Sequence, residues 1–144
     1  MRTCLLRTGL VMSAKGGLLG TQLLPFKLGL GTRLGNGRQW MSWIHIDDYI
    51  NLLLFLLDNP DASGPYNLTA PTPVTNADFT AALGRALHRP ALFAAPAFVL
   101  KAALGERVPM LLGSQRVPPA RALAAGFKFA HPALDGALAD LLRP

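Results

Sequence analysis

The stretch G-N-G-R-Q-W-M-S-W-I-H-I-D-D, residues 35–48, gathers both tryptophans, an arginine, a histidine and two adjacent carboxylates beside loop glycines. If it is extended, His45 and Asp47 point to one face, where the carboxylate could orient the imidazole as a general base. No nucleophile is identifiable beside them. The plainer arrangement is a buried His45, with Asp47 or Asp48 accepting the unpaired N–H groups of a following helix. Arg38 lies in a glycine loop ahead of a strand, and its planar donor fork suits phosphate or carboxylate. An exposed surface arginine fits that position equally. Trp40 and Trp43 are either core side chains or a stacking platform, core being the plainer reading.

Other chemistries are excluded by spacing. Cys4 is the single cysteine, so there is no disulfide framework and no metal-ligand spacing, and a reducing cytoplasm is the default. Its apolar neighbours point to a buried, inert thiol. Gly29-x-Gly31 is followed by Leu34 where a dinucleotide fingerprint needs glycine, and no helix opens there. The phosphate loop G-x-x-x-x-G-K-[ST] is absent. A Tyr-x-x-x-Lys pair fails at both tyrosines, because Leu53 follows Tyr49 and Ala70 follows Tyr66. The net charge of +6 comes from dispersed arginines rather than a cluster, a poor stripe for tracking phosphates, so no nucleic-acid partner is expected. No signal peptide is legible at the start, because Arg7 interrupts the apolar run. The greasiest later stretch, 90–105, is broken by Pro96 and Lys101 and reads as a core helix, not a membrane span.

At 144 residues, 51% of them hydrophobic, the chain suits one domain but is greasy for a self-contained one. Residues 3–12 read as a strand covered on both faces. A helix over 17–28 is ended or kinked by Pro25. W-M-S-W-I-H-I reads as a strand, and Y-I-N-L-L-L-F-L-L as a helix apolar nearly all round and therefore deeply buried. A strand over 64–70 follows. Thr75 with Asp78 resembles a capping box opening a helix with Phe79, Leu83, Ala86 and Leu87 on its apolar face. Three more helices start at Pro96, at Pro118–Pro119 and at Pro132; Gly105 and Gly126 end the first two. The total is two or three short strands and about six helices, a mixed α/β chain that reads as part of a larger sheet.

Four segments in this order resemble one family: L-L-R-T-G-L-V-M-S, L-G-N-G-R-Q-W-M-S-W-I-H-I-D-D, G-P-Y-N-L-T-A-P and V-T-N-A-D-F-T. They are similar to the C-terminal half of the extended short-chain dehydrogenase/reductases, in the branch of epimerase family proteins. The later run, through S-Q-R-V-P-P-A-R-A-L-A-A-G-F-K-F, looks like that branch's appended C-terminal domain of unknown function. The resemblance implies a Rossmann-like α/β fold. Residues 1–72 would form late strands and helices of the core, and 73–144 a helical cap on the substrate side. It implies NADP or NAD as cofactor, held mainly by an N-terminal Rossmann half absent from this chain, so the chain alone is expected to be inactive. The end of the first strand, Thr8 and Gly9, would lie near the nicotinamide. Arg38, Trp40 and Trp43 would line the substrate pocket of an oxidoreductase of unknown substrate. An alternative is a stand-alone binding module that docks on a separate Rossmann partner. One departure concerns substrate. Sugar-nucleotide members commonly place an arginine four residues before the histidine, where this chain has Met41.

Overall fold

The first strand breaks at Gly9. A computed structural model describes the backbone of all 144 residues, and every side chain except those of Leu100, Ala103, Leu104, Arg107, Met110 and Leu111. The chain runs through β1 (Cys4–Thr8), β2 (Leu10–Met12), α1 (Gly17–Lys27), β3 (Thr32–Leu34), β4 (Trp40–Met41), β5 (Trp43–His45), α2 (Ile46–Asp58) and β6 (Gly64–Leu68). It continues through β7 (Val74–Thr75), α3 (Asn76–Ala86), β8 (Phe93–Ala95), α4 (Ala97–Leu104), a 3-10 turn (Gly105–Arg107), α5 (Val108–Leu112), α6 (Ala120–Ala124) and α7 (Leu134–Leu141). Most strands beyond the expected ones are two or three residues long, too short to show a period-2 pattern. Helix α5 was likewise not legible.

β1 runs parallel to β6, with Leu6 opposite Tyr66, and β2 runs parallel to β5, with Leu10 opposite Trp43. At the switch, Gly9 N–H donates to Leu68 O and Leu10 N–H to Ser42 O. A Cβ at position 9 would lie 2.5 Å from Ser42 O and 2.8 Å from Thr69 Cγ2, so only glycine lets these backbones converge. β3 pairs parallel with β8, and β4 antiparallel with β7.

Two cores result. Met12, Trp43, Phe79 and Leu83 pack with Leu134, Ala137 and Leu138 of α7. Leu52 and Leu56 of α2 pack with Tyr66, Leu68, Ala122 and Phe127. Both combine residues from before and after position 72. The capping box holds: Thr75 Oγ1 accepts from Asp78 N–H, and its hydroxyl donates to the Asp78 carboxylate. Pro96 is the N-cap of α4 and Gly105 its C-cap, while Gly126 takes a left-handed φ of 92° just past α6. Pro25 lies inside α1, which continues to Lys27.

Three expectations of burial are corrected. β1 is not covered on both faces, since Leu5 and Leu6 are exposed. α2 buries one side only, through Leu52 and Leu56, and leaves Ile50, Leu54 and Leu57 exposed. Residues 90–105 form β8 and α4 rather than a core helix, with Phe93, Phe98 and Val99 exposed. The physical reason is common to all three: these residues are apolar enough for a core, but no described part of this chain packs over them. Leu6 and Leu57 border one shallow depression with Arg2 and Cys4. There the Arg2 guanidinium donates to Leu56 O and Leu57 O, satisfying carbonyls in the last turn of α2. Among the described residues, no helix is long and apolar enough to cross a membrane.

Candidate functional site

The carboxyl ends of β1 and β6 meet at Thr8, Gly9 and Thr69, beside Ser42, which leads into β5. Open parallel sheets bind ligands in the crevice outside the carboxyl ends of their strands. In this chain that end is bordered by a strap, residues 114–118, stitched down almost residue by residue. Trp40 N–H donates to Ser114 Oγ at 3.0 Å, and Gln115 N–H to Trp40 O at 3.3 Å. Ser42 Oγ donates to Gln115 O at 2.7 Å and accepts from Val117 N–H at 2.9 Å. Thr69 Oγ1 donates to Val117 O at 2.8 Å, and Asn67 Nδ2 to Pro118 O. The strap's Arg116 lies over the Trp40 ring, 4.6 Å from its centroid, a cation–π contact.

The strap is the part of the site that sequence reasoning missed. Ser42 and Thr69 carry the weak signal that could have found it: polar side chains set in apolar runs at strand ends, each needing a partner once buried. Nothing in the spacing says that the partner lies some 50 to 75 residues later.

The remaining sequence candidates fall as follows. Thr8 is exposed at the end of β1 and Gly9 sits at the strand switch. Arg38 is exposed, in a turn closed by its own N–H donating to Asn36 Oδ1. Trp40 is half-buried between the strap and β7. Trp43 is fully buried in the core, its Nε1–H donating to Thr72 O at 2.9 Å. Trp40 and Arg38 therefore keep exposed surface, while Trp43 belongs to the core. Cys4 is only half-buried, its thiol directed to Ala62 O.

His45 is buried, as the plainer reading had it, but the two carboxylates do not take the capping role expected of them. Neither Asp47 nor Asp48 caps α2. His45 is the N-cap, its Nδ1 accepting from Asp47 N–H at 3.0 Å. That bond leaves the ring proton on Nε2, which donates to Asp140 Oδ2 at 3.1 Å on α7. His131 stacks on the His45 ring at 3.8 Å. The buried Asp48 carboxylate accepts from Ala130 N–H and His131 N–H, each at 2.8 Å. With both nitrogens engaged and its side chain 1% exposed, His45 offers no face to a substrate, so it is no general base.

His45, Asp47, His131 and Asp140 bring ligand-type atoms within 4.8 Å of one another. A neutral imidazole that binds a metal through Nε2 must carry its proton on Nδ1. Here Nδ1 accepts a backbone N–H, so the donor set does not fit a metal ion. The arrangement is a latch that ties residues 130–140 to the start of α2.

A dinucleotide cradle is not met by these residues either. Gly29 adopts a left-handed φ of 78° and leads into a strand, and a Cβ on Gly31 would lie 2.7 Å from the Phe26 ring. Those glycines serve a turn and a close packing contact.

Comparison with known proteins agrees with this geometry. Residues 3–69 match the NAD dependent epimerase/dehydratase family, and residues 95–141 match a domain of unknown function (DUF1731). An epimerase family protein of Staphylococcus aureus is 44% identical over 137 residues, covering 95% of this chain and 46% of the relative. One from Mycobacterium leprae is 47% identical over 138 residues, covering 95% of this chain and 45% of the relative. The crystal structure of human epimerase family protein SDR39U1 with NADPH superposes with a TM-score of 0.93 at 40% identity, over 97% of this chain and 48% of the human one. A Thermus thermophilus UDP-glucose 4-epimerase complex with NAD shares the fold, with a TM-score of 0.69 at 15% identity over 96% of this chain and 45% of that one. The chain spans about half the length of the curated relatives it matches.

Proposed function

Because the chain belongs to the epimerase family of extended short-chain dehydrogenase/reductases and spans about half of its relatives' length, we propose that it is the substrate-binding portion of an NAD(P)-dependent epimerase/dehydratase-like oxidoreductase. The observation that carries this reading is the strap tied by Ser42 and Thr69 to the carboxyl ends of β1 and β6, the end at which open parallel sheets bind their ligands. Thr8 and Gly9 form the floor toward a nicotinamide. Arg38 and Trp40 face the substrate, and Trp43, fully buried, serves the core instead. The strap's Arg116, braced on Trp40, adds a second cation to that wall. NADP or NAD, held by an upstream Rossmann half, supplies the hydride chemistry. These residues bind, orient and exclude water.

Within this reading, residues 1–72 belong to the Rossmann-like core and 73–144 to its cap. The 144-residue chain is inactive alone, since the phosphate cradle lies elsewhere. The test is an NADPH fluorescence titration of the chain alone and of the chain joined behind the upstream half of the Staphylococcus aureus relative. We expect no binding by the former and saturable binding by the latter. Tight NADPH binding by the chain alone overturns the proposal.

A second reading, a module docking on a separately encoded Rossmann partner, is favoured by the uncovered apolar side of β1, where Leu5 and Leu6 are exposed. Co-expression as two chains separates the two readings. A stable two-chain complex supports docking, and assembly only when the halves are fused opposes it.

A further inference from the structure

α3 borders a cavity of about 700 Å³, closed on its other side by the turn after the helix and by β8. The volume suits a small ligand, and the lining includes none of Thr8, Gly9, Ser42, Thr69 or the strap. Three features of its lining point the same way.

The first is an unmade hydrogen bond. Thr80 is 4% exposed, and its Oγ1 has no partner among the described residues. A buried hydroxyl left unpaired costs free energy that a ligand acceptor would recover.

The second is charge. Arg33 and Arg89 line the cavity, and neither guanidinium has an ion pair among the described residues. Arg85, also on the wall, is engaged by Asp135 at 3.0 Å. Among the described residues no carboxylate lines the cavity.

The third is strain. His88, on the same wall, has a left-handed φ of 53°, unfavourable for a residue with a Cβ. The chain turns back so tightly here that a Cβ on Gly84 would lie 2.8 Å from Arg89 O. That turn brings Arg89 and the exposed Leu92 and Phe93 to the mouth of the cavity.

We infer that this cavity binds a small amphiphilic anion: an apolar body resting on Leu92 and Phe93, and an oxyanion, carboxylate or phosphate, held by Arg33 and Arg89 with the Thr80 hydroxyl as a further donor. Guanidinium forks match both oxyanions, so two probes distinguish them.

The experiment is isothermal titration of the full 144-residue chain at low salt with octanoate, octyl phosphate and the neutral 1-octanol. Saturable one-to-one binding of an anion is expected, absent for 1-octanol. Octyl phosphate binding more tightly assigns a phosphate ester, and octanoate binding more tightly assigns a carboxylate. Arg89→Gln and Thr80→Val should each weaken the anion about tenfold, while Lys101→Ala, an equal loss of charge elsewhere, leaves it unchanged. Thr80→Val keeps the side-chain shape and removes only the unpaired hydroxyl, so it should fold even where an arginine variant does not. No saturable binding of either anion, equal binding of 1-octanol, or unchanged affinity in both Arg89→Gln and Thr80→Val overturns the inference.

Discussion

Replacing Asp48 by alanine should be among the most damaging single changes available in this chain. Its carboxylate is 1% exposed and accepts two backbone N–H groups, those of Ala130 and His131, at 2.8 Å each. Hydrogen bonds to a charged acceptor contribute about 1.5–3 kcal/mol each, and truncating the acceptor strands both donors where they were buried. Asp48 also sits in the first turn of α2, where the helix dipole favours negative charge by about 0.3–1 kcal/mol. The sum is a loss of about 3–7 kcal/mol, a large part of a typical domain's stability. For a chain of this size that corresponds to a fall in Tm of roughly 10–23 °C. Urea denaturation followed by circular dichroism reads it directly. Asp48→Asn should fall between wild type and alanine, because its amide oxygen keeps one bond while its NH₂ faces the other donor. A loss below about 1 kcal/mol for Asp48→Ala would show that residues 130–131 are not held by this carboxylate, and the latch would have to be abandoned.

Three further outcomes follow from the geometry. Gly9→Ala should cost about 2 kcal/mol or more, because its Cβ would meet the Ser42 carbonyl at 2.5 Å, and backbone rather than a flexible side chain must give way; a Tm within 2 °C of wild type refutes that close approach. Leu54→Asp should change stability by less than about 1 kcal/mol, since Leu54 is 52% exposed on α2; chemical denaturation showing a collapse would place it in a core after all. His45→Asn keeps an acceptor for Asp47 N–H and loses the bond to Asp140 and the stack on His131, so it should destabilise less than His45→Ala, by about 1 kcal/mol of capping energy; equal losses in parallel melts would remove the capping role.

What the sequence made legible was governed by local physics. The capping box at Thr75, the proline start and glycine stop of α4, and the apolar face of α3 depend on residues within a turn of one another, and each is found where the spacing puts it. The family resemblance was legible for the same reason, because its motifs are contiguous. Burial was misjudged wherever apolar patterning implied a core that no described part of this chain supplies, as at Leu5, Leu54 and Phe98. The candidate site was legible only in part. Arg38 and Trp40 could be named, but Ser42 and Thr69 gain their meaning from a strap far along the chain. His45 is buried and ends a strand, as the plainer reading had it, but its capping role was not legible, because α2 begins one residue after it and turns the Asp47 carboxylate toward solvent.

If the chain is the substrate-side part of a larger enzyme, β1 is an interior strand of a larger parallel sheet. Thr3 O and Gly9 N–H both face β6, so in a parallel ladder the backbone groups of Cys4, Leu6 and Thr8 point to the opposite edge. Amide hydrogen exchange of Leu6 and Thr8 should therefore be measured in the chain alone and in the chain joined behind a relative's upstream half. Exchange should be fast in the chain alone and slower by at least ~100-fold in the joined protein, where an open edge becomes a core strand. Equal exchange in the two forms, with the joined protein folded, would mean that no strand pairs with that edge and that the chain is not the missing half of a sheet.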